Sequence, residues 1–247
     1  MSRFTTRDKL ILAGLFLSKF DEIGLETLGF SGFSEAFNTI ALSLKAKPAS
    51  LKNYRDEFDP FFPNKRMGWH KRSIRQYCKK FMDEYNTMSF EEFATLLKSE
   101  ISVIGEVELI EEQVNPSESN TFAKRLMTGQ AAENYFETVY CSLPMFYQHE
   151  ITNTTRLGCG FDYKMNKGKE PYLAVEVKGI LASSGTIQLT NKEYKAAQLL
   201  ENRFFLFVVR NFVEKPYHTI YQNPLYSNLL FERRETTSIQ ISWSTSI

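Results

Sequence analysis

Asp162, Glu176 and Lys178 are the residues of this sequence whose types and spacing could do chemistry together. Glu176 and Lys178 stand two apart in the run AVEVK, so in a strand both side chains leave one face. Val175 and Val177 take the other face and call for a core. Two charges in the middle of an apolar strand are costly to bury unless they are paired or bound to a cation. Asp162 lies on the extended run just before. Two carboxylates and an ammonium make a site for a divalent metal and an activated water, which is the equipment of a nuclease. Glu-x-Lys alone is common on solvated strands, so the flanking elements have to decide.

The elements around these residues have a clear order. A helix is expected over 121–141, with Gly129 and Gln130 inside it, then strands at FYQHEITN (146–153), CGFDYKM (159–165) and PYLAVEVKG (171–179). Thr190 caps the helix NKEYKAAQLLENR, with Glu193 completing a capping box. FFLFVVRNF (204–212) has almost no alternation, as expected of a buried central or parallel strand. The order is α-β-β-β-α-β, and the helix between the third and fourth strands makes those two parallel neighbours through a right-handed crossover. The fold class expected is α/β (α+β) with a mixed central sheet. Glu137 lies one turn beyond Glu133 and reads as an exposed helix glutamate. Gln188 would reach Lys178 only if the third strand ran past Gly179.

The N-terminal half is helical and differently charged. A first helix is expected from Thr6 to about Glu22. Ala36, Ile40 and Leu44, flanked by Phe37 and Ala41, have helical spacing, and Lys47-Pro48-Ala49-Ser50 breaks that helix and offers Ser50 as the cap of another. This is the layout of a helix-turn-helix, which places Lys52, Asn53 and Arg55 toward a nucleic-acid groove; an ordinary helical hairpin has the same pattern. NKRMGWHKRSIRQYCKK (64–80) then interleaves Lys65, Arg66, Lys71 and Arg72 with Trp69, a composition suited to phosphate contact and stacking. Ser89 and Glu92 form a capping box opening a further helix. The stretch 99–120, rich in glutamate, reads as a linker, dividing a helical domain (1–98) from a second domain (121–247).

Composition narrows the classes. The chain has 247 residues, 43% hydrophobic and 24% charged, with 21 Phe and 12 Tyr, as a globular protein with one large or two modest cores requires. The net charge of +1 provides no global attraction to nucleic acid, but residues 45–80 carry eleven Lys/Arg against Asp56, Glu57 and Asp59. A polar partner of that half is therefore expected to be anionic. Cys78, Cys141 and Cys159 are odd in number and lack a CxxC spacing, which opposes a disulfide framework or a zinc site and fits a reducing cytoplasm. LILAGLFL (10–17) reads as a buried helix face, and nothing is long enough to span a membrane. No phosphate-binding P-loop, GxGxxG or nucleophile triad is present.

With an acid on the second strand and Glu-x-Lys on the third, this order resembles the restriction-endonuclease-like PD-(D/E)xK nucleases. More narrowly, it looks like the nuclease-like domains at the C-termini of many restriction and phage-defence proteins. The matching motifs are Gly129 to Glu133, Gly160-Phe161-Asp162, Glu176-Val177-Lys178-Gly179, and Leu189-Thr190 to Glu193, together about half of the chain. Phe161 stands where the superfamily's name has proline. The resemblance implies a Mg²⁺-dependent endonuclease in which Asp162, Glu176 and the Val177 carbonyl hold the metal. Lys178 would orient or deprotonate the water, and Glu133 would sit behind the site as a ligand or second acceptor. It implies double-stranded DNA as substrate, a homodimer for cutting both strands, a cognate methyltransferase in the same system, and no membrane. Three other readings stay open: a DNA-binding protein keeping the nuclease fold only as scaffold, an RNA-directed or toxin-like nuclease, and a repair or processing nuclease.

Overall fold

A computed structural model describes residues 4–101, 116–235 and 243–245. Among these residues the N-terminal half forms five helices: α1 (Thr6–Thr27), α2 (Phe33–Ser43), α3 (Pro48–Phe58), α4 (Gln76–Tyr85) and α5 (Phe90–Ile101). Thr5 starts α1 with a capping box to Asp8. Leu10 to Leu17 are all buried, because α3, α4 and α5 surround α1 on several sides. Among the described residues no helix is long and apolar enough to cross a membrane. The capping box of Ser89 and Glu92 is formed, with each backbone N–H donating to the other side chain at 3.0 and 3.2 Å.

Two details of the sequence reading change here. Ser50 is not a cap: α3 opens two residues earlier with Pro48 in its first turn, where the missing N–H goes unused. Most of the expected linker, 99–120, falls outside the described residues. Its described ends are helical, in α5 and in α6 (Pro116–Val139), which starts five residues before the expected position.

The rest of the chain is a five-stranded sheet in the order β1 (Glu150–Asn153), β2 (Tyr163–Asn166), β3 (Leu173–Ile180), β4 (Phe204–Arg210) and β5 (Tyr217–Gln222). β3 and β4 are parallel, as the intervening helix α7 (Asn191–Leu200) requires, and the other pairs are antiparallel. One face packs against α6 through Val175, Val177, Phe205, Phe207 and Tyr163, with Ala131, Ala132 and Phe136 opposite. The other carries Ala174 and Phe204 against Ala197 and Leu200 of α7, then Ile180, Leu206 and Val208 under Leu189, Leu229 and Phe231. Buried on both faces, β4 is apolar throughout.

β1 is shorter than expected because Pro144–Phe146 form a 3₁₀ turn, and β5 was not anticipated. β5 is half-exposed throughout, so it lacks the alternation that marks a strand from its sequence. Buried asparagines join the helices to the sheet region. The side chain of Asn38 in α2 donates to the Phe212 and Glu214 carbonyls at 2.7 and 2.9 Å. Asn134 in α6 donates to those of Leu42 and Ser43 at 2.8 and 3.0 Å.

Candidate active site

The site forms where β2 leaves β3. Their ladder ends at Tyr163 opposite Val175, while β3 continues to Ile180. Asp162 is therefore not within the second strand, as its sequence suggested, but just before it. Its N–H still donates to the Val175 carbonyl at 3.0 Å, and its Oδ2 accepts the Val177 N–H at 2.9 Å. The carboxylate thus takes the rung that a continuing strand would have filled. The odd residues of β3 direct their backbone groups toward β2, so the Val177 carbonyl faces the same gap. Two glycines allow the close packing around it. Gly160 (φ 89°) lies so near α7 that a Cβ would meet the Lys192 carbonyl oxygen at 2.6 Å. A Cβ on Gly179 would meet the Thr128 carbonyl oxygen at 2.9 Å, so its absence lets α6 and Glu133 approach β3.

Glu176 is 3% exposed and pairs with the Lys178 ammonium at 2.6 Å. Lys178 also donates to Glu193 Oε2 at 2.8 Å, and the same oxygen accepts the Thr190 N–H at 3.0 Å. Glu193 therefore does more than cap α7: it holds the lysine. Sequence reasoning assigned it to the capping box alone, and the signal available was its place in the fourth motif. Glu137, by contrast, is tied up. It accepts from Tyr163 Oη at 3.1 Å and pairs with Lys45 at 2.6 Å, pinning α6 to β2 and to the turn after α2. β3 stops at Ile180, and Gln188 lies exposed in the loop beyond it.

The electrostatics are those of crowded acids. Burial, then the Asp162 charge, pushes the Glu176 carboxyl up to about 8. Burial, then Asp162 and Glu137, raises Glu133 to about 7. Asp162 is also raised, chiefly by burial. Burial works to lower the Lys178 ammonium, but Glu176 and Glu193 overcome it and hold it above its ordinary range. Lys178 is thus a fixed positive charge, suited to stabilising an anion and unsuited to taking a proton. Four carboxyl groups around one ammonium leave a shortage of positive charge. The Glu133 carboxylate has no hydrogen-bond donor among the described residues.

That donor set suits Mg²⁺, a hard ion that takes one or two carboxylates and keeps several waters instead of demanding an all-protein cage. Asp162, Glu176 and the Val177 carbonyl are the groups that would hold it. Among the described residues no three acidic, histidine or cysteine side chains already stand in a ligating cluster.

The residues expected to touch DNA divide into two groups. Arg55 is buried, bonded to Asp56 at 2.6 Å and to Asp59 at 3.5 Å, with Phe33 and Phe37 under its guanidinium. Arg66 bridges Asp59 and Asp21 and also lies over the Phe33 ring. Both are structural cations: Asp59 lies four after Arg55, on the same helix face, and Arg66 folds back onto the same carboxylate. Neither belongs to a groove-facing set. Lys52, Asn53, Lys65 and Lys71 are exposed, Lys52 lying 3.6 Å from Asp56. Arg72 is exposed but bonded to the buried Glu57 at 2.9 Å, and Trp69 is covered by Arg72 and Arg75 at 4.3 and 5.4 Å. Trp69, Lys71, Arg72 and Arg75, with Gly68 and His70, line an open hollow of about 520 Å³.

The sheet region has a counterpart among known protein families. Residues 130–222 match the family model described as Protein NO VEIN, C-terminal. That family belongs to the restriction-endonuclease-like class of C-terminal domains, so the match likens this part of the chain to a nuclease-like domain. The NO VEIN match runs from within α6 to the end of β5, taking in all five strands and Glu133, Asp162, Glu176, Lys178 and Glu193. It spans less than half of the chain, and α1–α5 lie outside it. Searches against curated proteins and against solved structures returned no match.

Proposed function

We propose that this protein is a Mg²⁺-dependent endodeoxyribonuclease of restriction or phage-defence type that hydrolyses phosphodiester bonds in double-stranded DNA. One observation carries the reading: mutually repelling acids, Asp162 and Glu176, come together at the β2–β3 gap, where Asp162 accepts the Val177 N–H, beside a lysine held as an ammonium. Mg²⁺ bound there supplies Lewis acidity toward the phosphate and a more acidic water. Lys178 stabilises the negative charge that grows on the phosphate as water adds and the leaving oxygen departs, without a covalent enzyme intermediate. Glu193 fixes the lysine's position. Glu133, at about 7 and without a donor, is matched to accept the water's proton near neutral pH. Cutting both strands calls for a homodimer or successive nicks, and a restriction role calls for a cognate methyltransferase.

A second reading, a nuclease fold kept as a DNA-binding scaffold, draws support from the way Lys178 is clamped by two glutamates. The substrate is a separate question. With Arg55 and Arg66 engaged internally, preference for duplex DNA over RNA rests on Lys52, Asn53, Lys65 and Lys71.

The test is to incubate the protein with unmodified and modified plasmid-length DNA, in Mg²⁺ and in EDTA, beside Lys178→Ala. Discrete fragments requiring both Mg²⁺ and Lys178 are expected. Intact DNA that is nevertheless bound favours the scaffold, and neither cleavage nor binding directs the same assay to RNA.

A further inference from the structure

Arg210 ends β4, and its chemistry is unlike that of Arg55, Arg66, Arg72 and Arg75, each of which bonds a carboxylate. Among the described residues Arg210 has no acidic partner. Nη2 donates to the neutral Tyr221 hydroxyl at 2.9 Å, and Nε is buried without any acceptor. A buried donor on a charged group is costly to leave unmet, so Nε calls for an acceptor that the described residues do not supply.

Its position says what that acceptor is near. Ile180 pairs with Arg210 and Lys178 with Val208, so Arg210 shares the face of Glu176 and Lys178 at the carboxyl ends of two parallel strands. Ligands of open α/β sheets collect at such ends. Tyr221, Leu206 and Glu176 form one row across β5, β4 and β3. The bond to Tyr221 therefore holds the guanidinium back along β4, on the β5 side of that strand, with Glu176 and Lys178 across β4 on β3.

We propose that Arg210 is a positioning residue that grips a phosphate of the polynucleotide strand, adjacent to the phosphate presented to Lys178. The inference rests on the nuclease reading and adds to it a specific contact for the strand. The planar guanidinium offers Nε and a second N–H as a fork matched to phosphate oxygens, which a lysine could not reproduce.

The experiment measures binding of a labelled DNA duplex in EDTA over a series of KCl concentrations, for the wild type, Arg210→Met and Arg210→Lys. Losing one charged contact lowers affinity by about tenfold in the methionine variant and reduces the slope of log affinity against log salt by about one. The lysine variant keeps the slope and recovers only part of the affinity. Melting curves confirm that both variants fold, and if the methionine variant does not, the lysine variant decides by its affinity. Unchanged affinity and slope in a folded variant, with the wild type binding, overturn the role of Arg210 and leave the nuclease reading standing. A second arm follows melting in inorganic phosphate against chloride of equal ionic strength. If the wild type neither binds nor cuts DNA or RNA, the nuclease reading falls. Stabilisation by phosphate that Arg210→Met abolishes would then overturn the polynucleotide strand as ligand and retain only a small-oxyanion grip.

Discussion

At the scale of residues, the site is defined by acids that resist ionisation around a lysine that does not give up its proton. Lys178→Ala is expected to lower Mg²⁺-dependent cleavage by roughly a hundredfold or more, the order found when one electrostatic donor to a developing oxyanion is removed; a single-turnover assay reads it. The acids also set a pH dependence. With Glu133 and Glu176 raised from 4.5 to about 7 and about 8, the folded protein retains protons that the unfolded chain has released. Stability from these groups is present below about pH 4.5 and is lost as pH rises through 7 and 8. In EDTA the melting temperature should fall from pH 5.5 to 8.5, and Glu176→Gln should flatten that fall; an unchanged profile would contradict the raised values. Metal binding must displace the same protons, so the apparent Mg²⁺ affinity should rise over the same interval.

At the scale of elements, the gap between β2 and β3 depends on close approach of the helices on either side. The carbonyl oxygen of Thr128 would lie 2.9 Å from a Cβ at position 179, and backbone cannot swing away as a flexible side chain can. Gly179→Ala should therefore destabilise the fold by about 1–3 kcal/mol and move α6, with Glu133, away from β3. Denaturant unfolding measures the first effect and the kcat for cleavage the second. Much of this level was legible in the sequence: β3, β4, α7 with its capping box, and the four motifs in order. The placement of Asp162 at the turn into β2 was not, because a strand's end is set by where its partner diverges. β5 was missed for a related reason, since half-exposed residues against a buried β4 have no alternation to read.

At the scale of the whole molecule, the basic N-terminal half divides into charges that hold it together and charges that face solvent. Arg55→Ala should lower stability by about 1.5–3 kcal/mol, by taking one of its two arginine partners from the buried Asp59 and the bonded guanidinium from Asp56, while leaving the salt dependence of nucleic-acid binding unchanged. Lys71→Glu should do the reverse, weakening binding with little change in melting temperature. The composition of 45–80 could not make that distinction. Whether an arginine is free depends on Asp21, Asp56, Asp59 and Glu57, some distant in sequence and brought into reach only by the packing of α1 and α3.

By itself, the sequence determined which residues are able to do chemistry here. Glu176 and Lys178 share a face because a strand repeats every two residues, and β3 and β4 are parallel because a helix lies between them; both follow from local geometry. Only the tertiary structure decided how the groups act on one another. It made Lys178 a clamped ammonium, raised its neighbouring carboxyls, engaged Arg55 and Arg66, and left Arg210 facing the same side as the acids. Burial and charge–charge interaction depend on distances in space, and chain spacing does not encode those.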